Sequence, residues 1–181
     1  GDTFVWFVAS HGMMDANSNF GIIAHDTQCL NDNCTDIKGH ITSNEILEAS
    51  KKIKAMKQLV VLDTCHSGGL DSKLSGLYDA RVSLLAKNMG LHLYASAQAT
   101  EAAQDGKPGT NGTFTAQLLE GIKGAAPKNP EGQISVMTLG DYAKQKTIEA
   151  TQPKSGAKDA RPAQTPVIQH FGQDTGLVRL Q

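Results

Sequence analysis

Two short stretches of this chain combine residue types that could do chemistry. Asp63-Thr64-Cys65-His66-Ser67-Gly68-Gly69 sets a thiol among groups that exchange protons and hydrogen bonds, and Ser10-His11-Gly12 sets an imidazole beside a glycine. A thiolate is a nucleophile, and an imidazole next to it both favours its formation and later protonates the leaving group. One cysteine alone says little, because free cysteine is among the most often buried residue types. Its neighbours say more. Asp63, Thr64, His66 and Ser67 would each need a hydrogen-bond partner in a core, whereas a strand end opening into a cleft suits them. A histidine after a strand is ordinarily a loop residue, and it gains meaning only if the fold brings it to the cysteine.

The elements that would do so can be read on either side. Val60-Val61-Leu62 is an apolar, mostly β-branched run that breaks at Asp63, and Phe4-Val5-Trp6-Phe7-Val8-Ala9 is a second run of strand length that breaks at Ser10. Between them, Thr42-Ser43-Asn44-Glu45 reads as a capping box, and Ile46, Leu47, Ser50, Ile53 and Met56 follow on one helical face. Glu45 and Glu48 fall early and Lys51, Lys52, Lys54 and Lys57 late, complementing the macrodipole, so the lysines read as a solvated helix face. A strand, helix, strand unit of this kind is a right-handed crossover that makes its strands parallel. The carboxyl ends of parallel neighbours share one edge, where the sites of open α/β sheets form. On that geometry His11 faces Cys65, a minimal apparatus for acyl transfer.

At this point the residues carry a resemblance. An apolar strand ending in Ser-His-Gly, then Asp-Thr-Cys-His-Ser-Gly-Gly at the end of a second strand, with the histidine about 50 residues before the cysteine, resembles the caspase-type cysteine peptidases. The form Asp-x-Cys-His-Ser-Gly is similar to metacaspases and their bacterial relatives, not to animal caspases. Downstream, Tyr94-Ala95-Ser96-Ala97, Glu101-Ala102 and Gly112-Thr113-Phe114-Thr115 resemble the small-subunit half of that family.

The resemblance implies a three-layer α/β/α fold with a mostly parallel central sheet. It implies one catalytic domain over residues 1–181, large-subunit-like over about 1–88 and small-subunit-like over about 89–181. The family has two further strands and their helices before the histidine strand; the expectation is a processed or trimmed chain whose amino-terminal portion is a separate fragment and partner. In chemistry it implies Cys65 attacking a scissile carbonyl of a protein or peptide substrate, His11 protonating the departing amine, and the backbone amides of Gly12 and Cys65 holding the oxyanion. No third carboxylate is obligatory. Asp63 implies the substrate: in metacaspases the matching aspartate receives Arg or Lys before the cut, with Ser96 and Asp105 where the second pocket wall is built. The plain alternative is that Asp63 only caps its loop. One departure stands out, since the family commonly has Ser-Gly-His-Gly and here Ala9 and Ser10 precede His11. The chemistry needs no cofactor; calcium, on which metacaspases often depend, enters by resemblance alone.

Composition narrows the other classes. Lys+Arg 17 against Asp+Glu 18 leaves no basic excess to neutralise phosphates, which argues against nucleic acid or an anionic membrane as partner. No apolar run approaches the roughly 20 residues of a membrane span, and no signal-peptide order opens the chain, which leaves a soluble protein, cytoplasmic or exported. Cys29 and Cys34 either pair, pointing to an oxidising compartment, or stay as two thiols. With His25 and His40 their types could ligate zinc, but the spacing matches no compact zinc motif, and no metal site is assigned. Further along, Phe20–Ala24 and Leu91–Ala95 read as strands and Leu77–Asn88 as a helix. Phe114, Leu118, Leu119 and Ile122 mark a helix closed by Gly124. Another helix carries Val136, Leu139 and Tyr142, an irregular excursion runs from Thr151 to Pro166, and two short terminal strands follow. Three other functions share parts of this pattern: a caspase-like scaffold, which would usually have lost the cysteine or histidine; a cysteine-dependent acyl hydrolase on non-peptide substrates; and a flavodoxin-like binding module, for which Ser10-His11-Gly12-Met13 is a poor phosphate loop.

Overall fold

The computed structural model describes residues 2–14, 20–32, 34, 36–66, 92–96, 110–153, 163–170 and 173–179. In chain order its elements are β1 (Thr3–Met14), β2 (Phe20–Ile22), β3 (Gln28–Cys29), β4 (Ile37–Lys38), β5 (Ile41–Thr42), α1 (Ser43–Lys52), β6 (Lys57–His66), β7 (His92–Ala95), α2 (Thr113–Glu120), β8 (Ile134–Ser135), α3 (Val136–Thr151), β9 (Val167–Gln169) and β10 (Gly176–Val178). The helix expected over Leu77–Asn88 lies outside the described residues.

Six strands make one sheet in the order β5-β2-β1-β6-β7-β9. Its long central registers are parallel: β1 with β6 from Thr3↔Lys57 to Gly12↔His66, and β6 with β7 from Leu59↔His92 to Leu62↔Ala95. The short flanking pairs, β1–β2, β2–β5 and β7–β9, are antiparallel. The result is the mixed, mostly parallel α/β sheet that the strand, helix, strand pattern required.

Alternation along the strands divides the sheet into two faces. Phe4 and Trp6 of β1, Gln58 and Val60 of β6, and Ile46, Ala49, Ser50 and Ile53 at α1 line one cavity of about 130 Å³ between the sheet and that helix. The opposite face sets Leu59, Val61 and Tyr94 against Phe114 and Leu118 of α2 and Leu139 and Ala143 of α3, forming the main core. Three layers follow, helix on each side of the sheet. The second face is not fully covered. Val5 and Phe7 of β1 are 50% and 46% exposed and line an apolar groove of about 400 Å³ with Leu119, Ile122, Leu177 and Val178.

The helix α1 begins as its capping box requires. Thr42 N donates to Glu45 Oε2 at 2.8 Å and Glu45 N to Thr42 Oγ1 at 3.2 Å. It ends earlier than the apolar spacing suggested. The buried Ser50 donates to Gln58 Oε1 at 2.5 Å, and the Gln58 amide donates back to the carbonyls of Ser50 and Ala55, each at 3.3 Å. Those bonds turn the chain into β6, so Lys54 lies beyond the helix, Lys57 opens the strand, and Met56 is 96% exposed instead of lying on the buried face. The helix α2 likewise stops at Glu120, and a π-helical turn, Gly121–Ala125, carries Gly124 at φ 122°, a conformation that favours glycine.

Gly140 brings α3 close to the sheet, since a Cβ there would lie 2.8 Å from Tyr94 Cε1 and from Ile168 Cγ2. The Tyr94 hydroxyl donates to the carbonyl of Val136 at the start of the same helix. Burial pushes its pKa far above the ordinary phenol value, as suits a hydroxyl that serves only to tie β7 to α3. In the β3–β4 hairpin Cys29 and Cys34 form a disulfide, their Cα atoms 4.7 Å apart. Pairing removes both thiolates from the zinc-ligand types in that loop. No helix among the described residues is long and apolar enough to cross a membrane.

Candidate active site

Ser10 to Gly12 and Asp63 to His66 lie inside paired strand, where the sequence suggested that the strands stop at Ala9 and Leu62. The ladder continues because polar side chains find partners along it. Ile23 N donates to His11 O at 2.8 Å, Ser10 Oγ donates to Ile23 O at 2.7 Å, and β2 adds Gly12↔Ile22 on the outer side of β1. Ser10 is thereby occupied in fixing the end of β1.

The β1–β6 register sets His11 opposite Cys65 and Ala9 opposite Asp63. Neighbouring strands lie about 4.8 Å apart, and register partners fall on the same face of the sheet. Positions 9, 11, 63 and 65 thus share the face that α2 flanks. His11 is exposed, and Gly12 beside it is buried. The half-buried Asp63 accepts a hydrogen bond at Oδ2 from the Thr115 hydroxyl, in the first turn of α2. Gly112, the N-cap of that helix, stands so close that a Cβ there would lie 3.1 Å from the same oxygen.

Ser96 follows β7 and is 1% exposed. Its N–H donates to Leu62 O at 3.0 Å, its hydroxyl to Thr64 O at 3.3 Å, and its carbonyl accepts from Gln164 Nε2 at 2.6 Å. The first two bonds tie Ser96 to the end of β6, alongside Asp63 in the chain. Asp105 lies outside the described residues. Among the described residues no three His, Cys, Asp or Glu side chains gather to hold a metal ion.

Residues 1–171 match the family model of the caspase domain. The chain belongs to the caspase-domain family. This is a family of cysteine peptidases, and the sheet with helices on both sides is its α/β architecture. Comparison with curated proteins gave no match.

Two residues of this caspase domain near its candidate site had no role in the sequence reading. Thr115 was visible only as the last residue of Gly112-Thr113-Phe114-Thr115, and nothing local joins it to Asp63, 52 residues away. Gln164 lies in the excursion read as irregular, yet it is 1% exposed, and its N–H donates to Thr151 Oγ1 at 2.8 Å while its side chain reaches Ser96.

Proposed function

We propose that this caspase domain is a cysteine endopeptidase of the metacaspase type, using His11 and Cys65 and cleaving after Arg or Lys. The observation that carries the reading is the His11↔Cys65 register, with Asp63 on the same sheet face. In the reaction the Cys65 thiolate attacks the scissile carbonyl carbon, and the C=O pair moves onto oxygen. By resemblance to the family, the tetrahedral oxyanion is met by the backbone amides of Gly12 and Cys65. Collapse expels the amine, which takes its proton from the His11 imidazolium, and the neutral imidazole then draws a proton from the water that hydrolyses the thioester.

Asp63 supplies selectivity. A carboxylate flanking the scissile site pairs with a cationic side chain and leaves a neutral or acidic one without a partner, which is how buried charge discriminates between substrates. Calcium, on which metacaspases often depend, enters this reading by resemblance alone, and no step of the reaction runs through it. A separate amino-terminal fragment of the same precursor is proposed as a partner, from the resemblance alone.

The test is hydrolysis of fluorogenic peptides ending in Arg, Lys or Asp, with and without calcium, by the protein and its Cys65→Ala variant. The reading expects cleavage after Arg and Lys that vanishes in the variant. Cleavage of none of them by a folded protein with a reactive Cys65 would overturn it in favour of a scaffold or a non-peptide acyl hydrolase.

A further inference from the structure

Asp63 projects from a strand whose register neighbour on β1, Ala9, presents only a methyl group. Its carboxylate is instead engaged from the other layer, by the Thr115 hydroxyl in the first turn of α2. Three further features fit that contact. Gly112 makes no side-chain capping bond and leaves room for the carboxylate beside it. The amino-terminal end of a helix favours a negative charge. The neighbours of Thr115 fix its position, because Phe114 is 0% and Leu118 5% exposed in the core beneath the sheet. A hydroxyl on a packed helix is a rigid donor, and a hydrogen bond to an ionised acceptor is stronger than a neutral one.

We propose that Thr115 is the positioning residue for the specificity carboxylate, holding Asp63 by Oδ2 so that Oδ1 stays directed to the cation of the substrate. This rests on the reading of Asp63 as the selector for Arg or Lys. Aspartate is short, and its terminal torsion is broad, so an untethered carboxylate samples several orientations. The Thr115 bond selects one of them before substrate arrives, which lowers the ordering cost of binding. A valine at 115 keeps the shape and β-branching of threonine and removes the donor; a serine keeps the donor.

The experiment measures alkylation of Cys65 in the full chain by two reagents, followed by intact-protein mass spectrometry. One is a peptidyl chloromethyl ketone ending in lysine or arginine, the other iodoacetamide, which carries no recognition element. Cys29 and Cys34 are paired, which leaves Cys65 as the reporting thiol. The expected result is a Thr115→Val rate with the basic reagent lower by about tenfold, the scale of one charge-assisted hydrogen bond, at an unchanged iodoacetamide rate. Thr115→Ser restores the basic-reagent rate, and Gly112→Ala, which crowds the carboxylate, lowers it. A wild-type protein that prefers the basic reagent and keeps that preference in Thr115→Val overturns the role of Thr115 alone. Equal loss with both reagents, not restored by serine, reduces Thr115 to a structural residue and also overturns it. A wild-type protein without preference for the basic reagent overturns the selector reading and this inference with it.

Discussion

His11 and Cys65 are register partners on adjacent parallel strands, so the distance between their backbones is set by the sheet. Replacing either side chain should leave that frame in place and change only the chemistry. His11→Ala is expected to lower kcat by about 10²–10⁴-fold, the usual contribution of a positioned acid–base group, with KM little altered. Steady-state kinetics on an arginine-ending peptide checks this, and a KM effect with unchanged kcat would place His11 in binding instead.

Gly140 sits where α3 approaches Tyr94 and Ile168. Gly140→Ala would gain helix propensity, but its methyl must displace packed side chains on β7 and β9. With two packed side chains only 2.8 Å away, the cost falls in the upper part of the usual overpacking range of about 1–3 kcal/mol, above the gain of about 1 kcal/mol from replacing a helical glycine. Urea denaturation should therefore show net destabilisation, and a stabilised variant would mean that the contact relaxes freely.

The imidazole of His92 is buried at the start of β7. Burial holds its pKa below the ordinary value of 6.5; the carbonyl of Gln173 opposes that shift, the neighbouring His170 adds to it, and Asp174 opposes it. His170 in turn lies 3.6 Å from Asp141 on α3. Because the folded pKa is depressed, the unfolded chain binds the proton first as pH falls. Stability is full above the unfolded pKa of about 6.5 and is lost as pH drops from there through the folded pKa. The urea midpoint should fall between about pH 7.5 and about pH 5.5, and fall less in His92→Gln. Equal slopes in the two proteins would exclude His92 as the source.

The disulfide closes a short loop in the exposed β3–β4 hairpin. Chain-entropy arguments give such a loop at most about 2 kcal/mol. Cys29→Ser with Cys34→Ser should lower stability by no more than that, raise amide exchange across residues 28–38, and leave peptide hydrolysis unchanged. Loss of hydrolysis would show that the hairpin supports the site.

Much of this was legible locally. The Thr42 and Glu45 capping box, the helical spacing of Phe114 with Leu118 and of Val136 with Leu139, and the crossover that makes β1 and β6 parallel all depend on neighbours in sequence. Features set by distant partners were not. Met56 fits the period of α1 and still lies outside it, because Gln58 draws the chain away. The apolar run of β1 gives no hint that Val5 and Phe7 stay half exposed, since that depends on what α2 and α3 reach. Pairing of Cys29 with Cys34 was an open alternative, and the Thr115 bond to Asp63 joins residues from opposite halves of the chain.

The unbroken register from Thr3↔Lys57 to Gly12↔His66 bears on how such a chain could be kept latent. Parting positions 11 and 65 would unzip main-chain hydrogen bonds in succession, each worth about 1 kcal/mol net, against the cooperative core beneath them. Thermal motion therefore seldom separates the two backbones at these positions. A switch that acts by occlusion, covering or uncovering the two strand ends, would need no change in their backbone spacing.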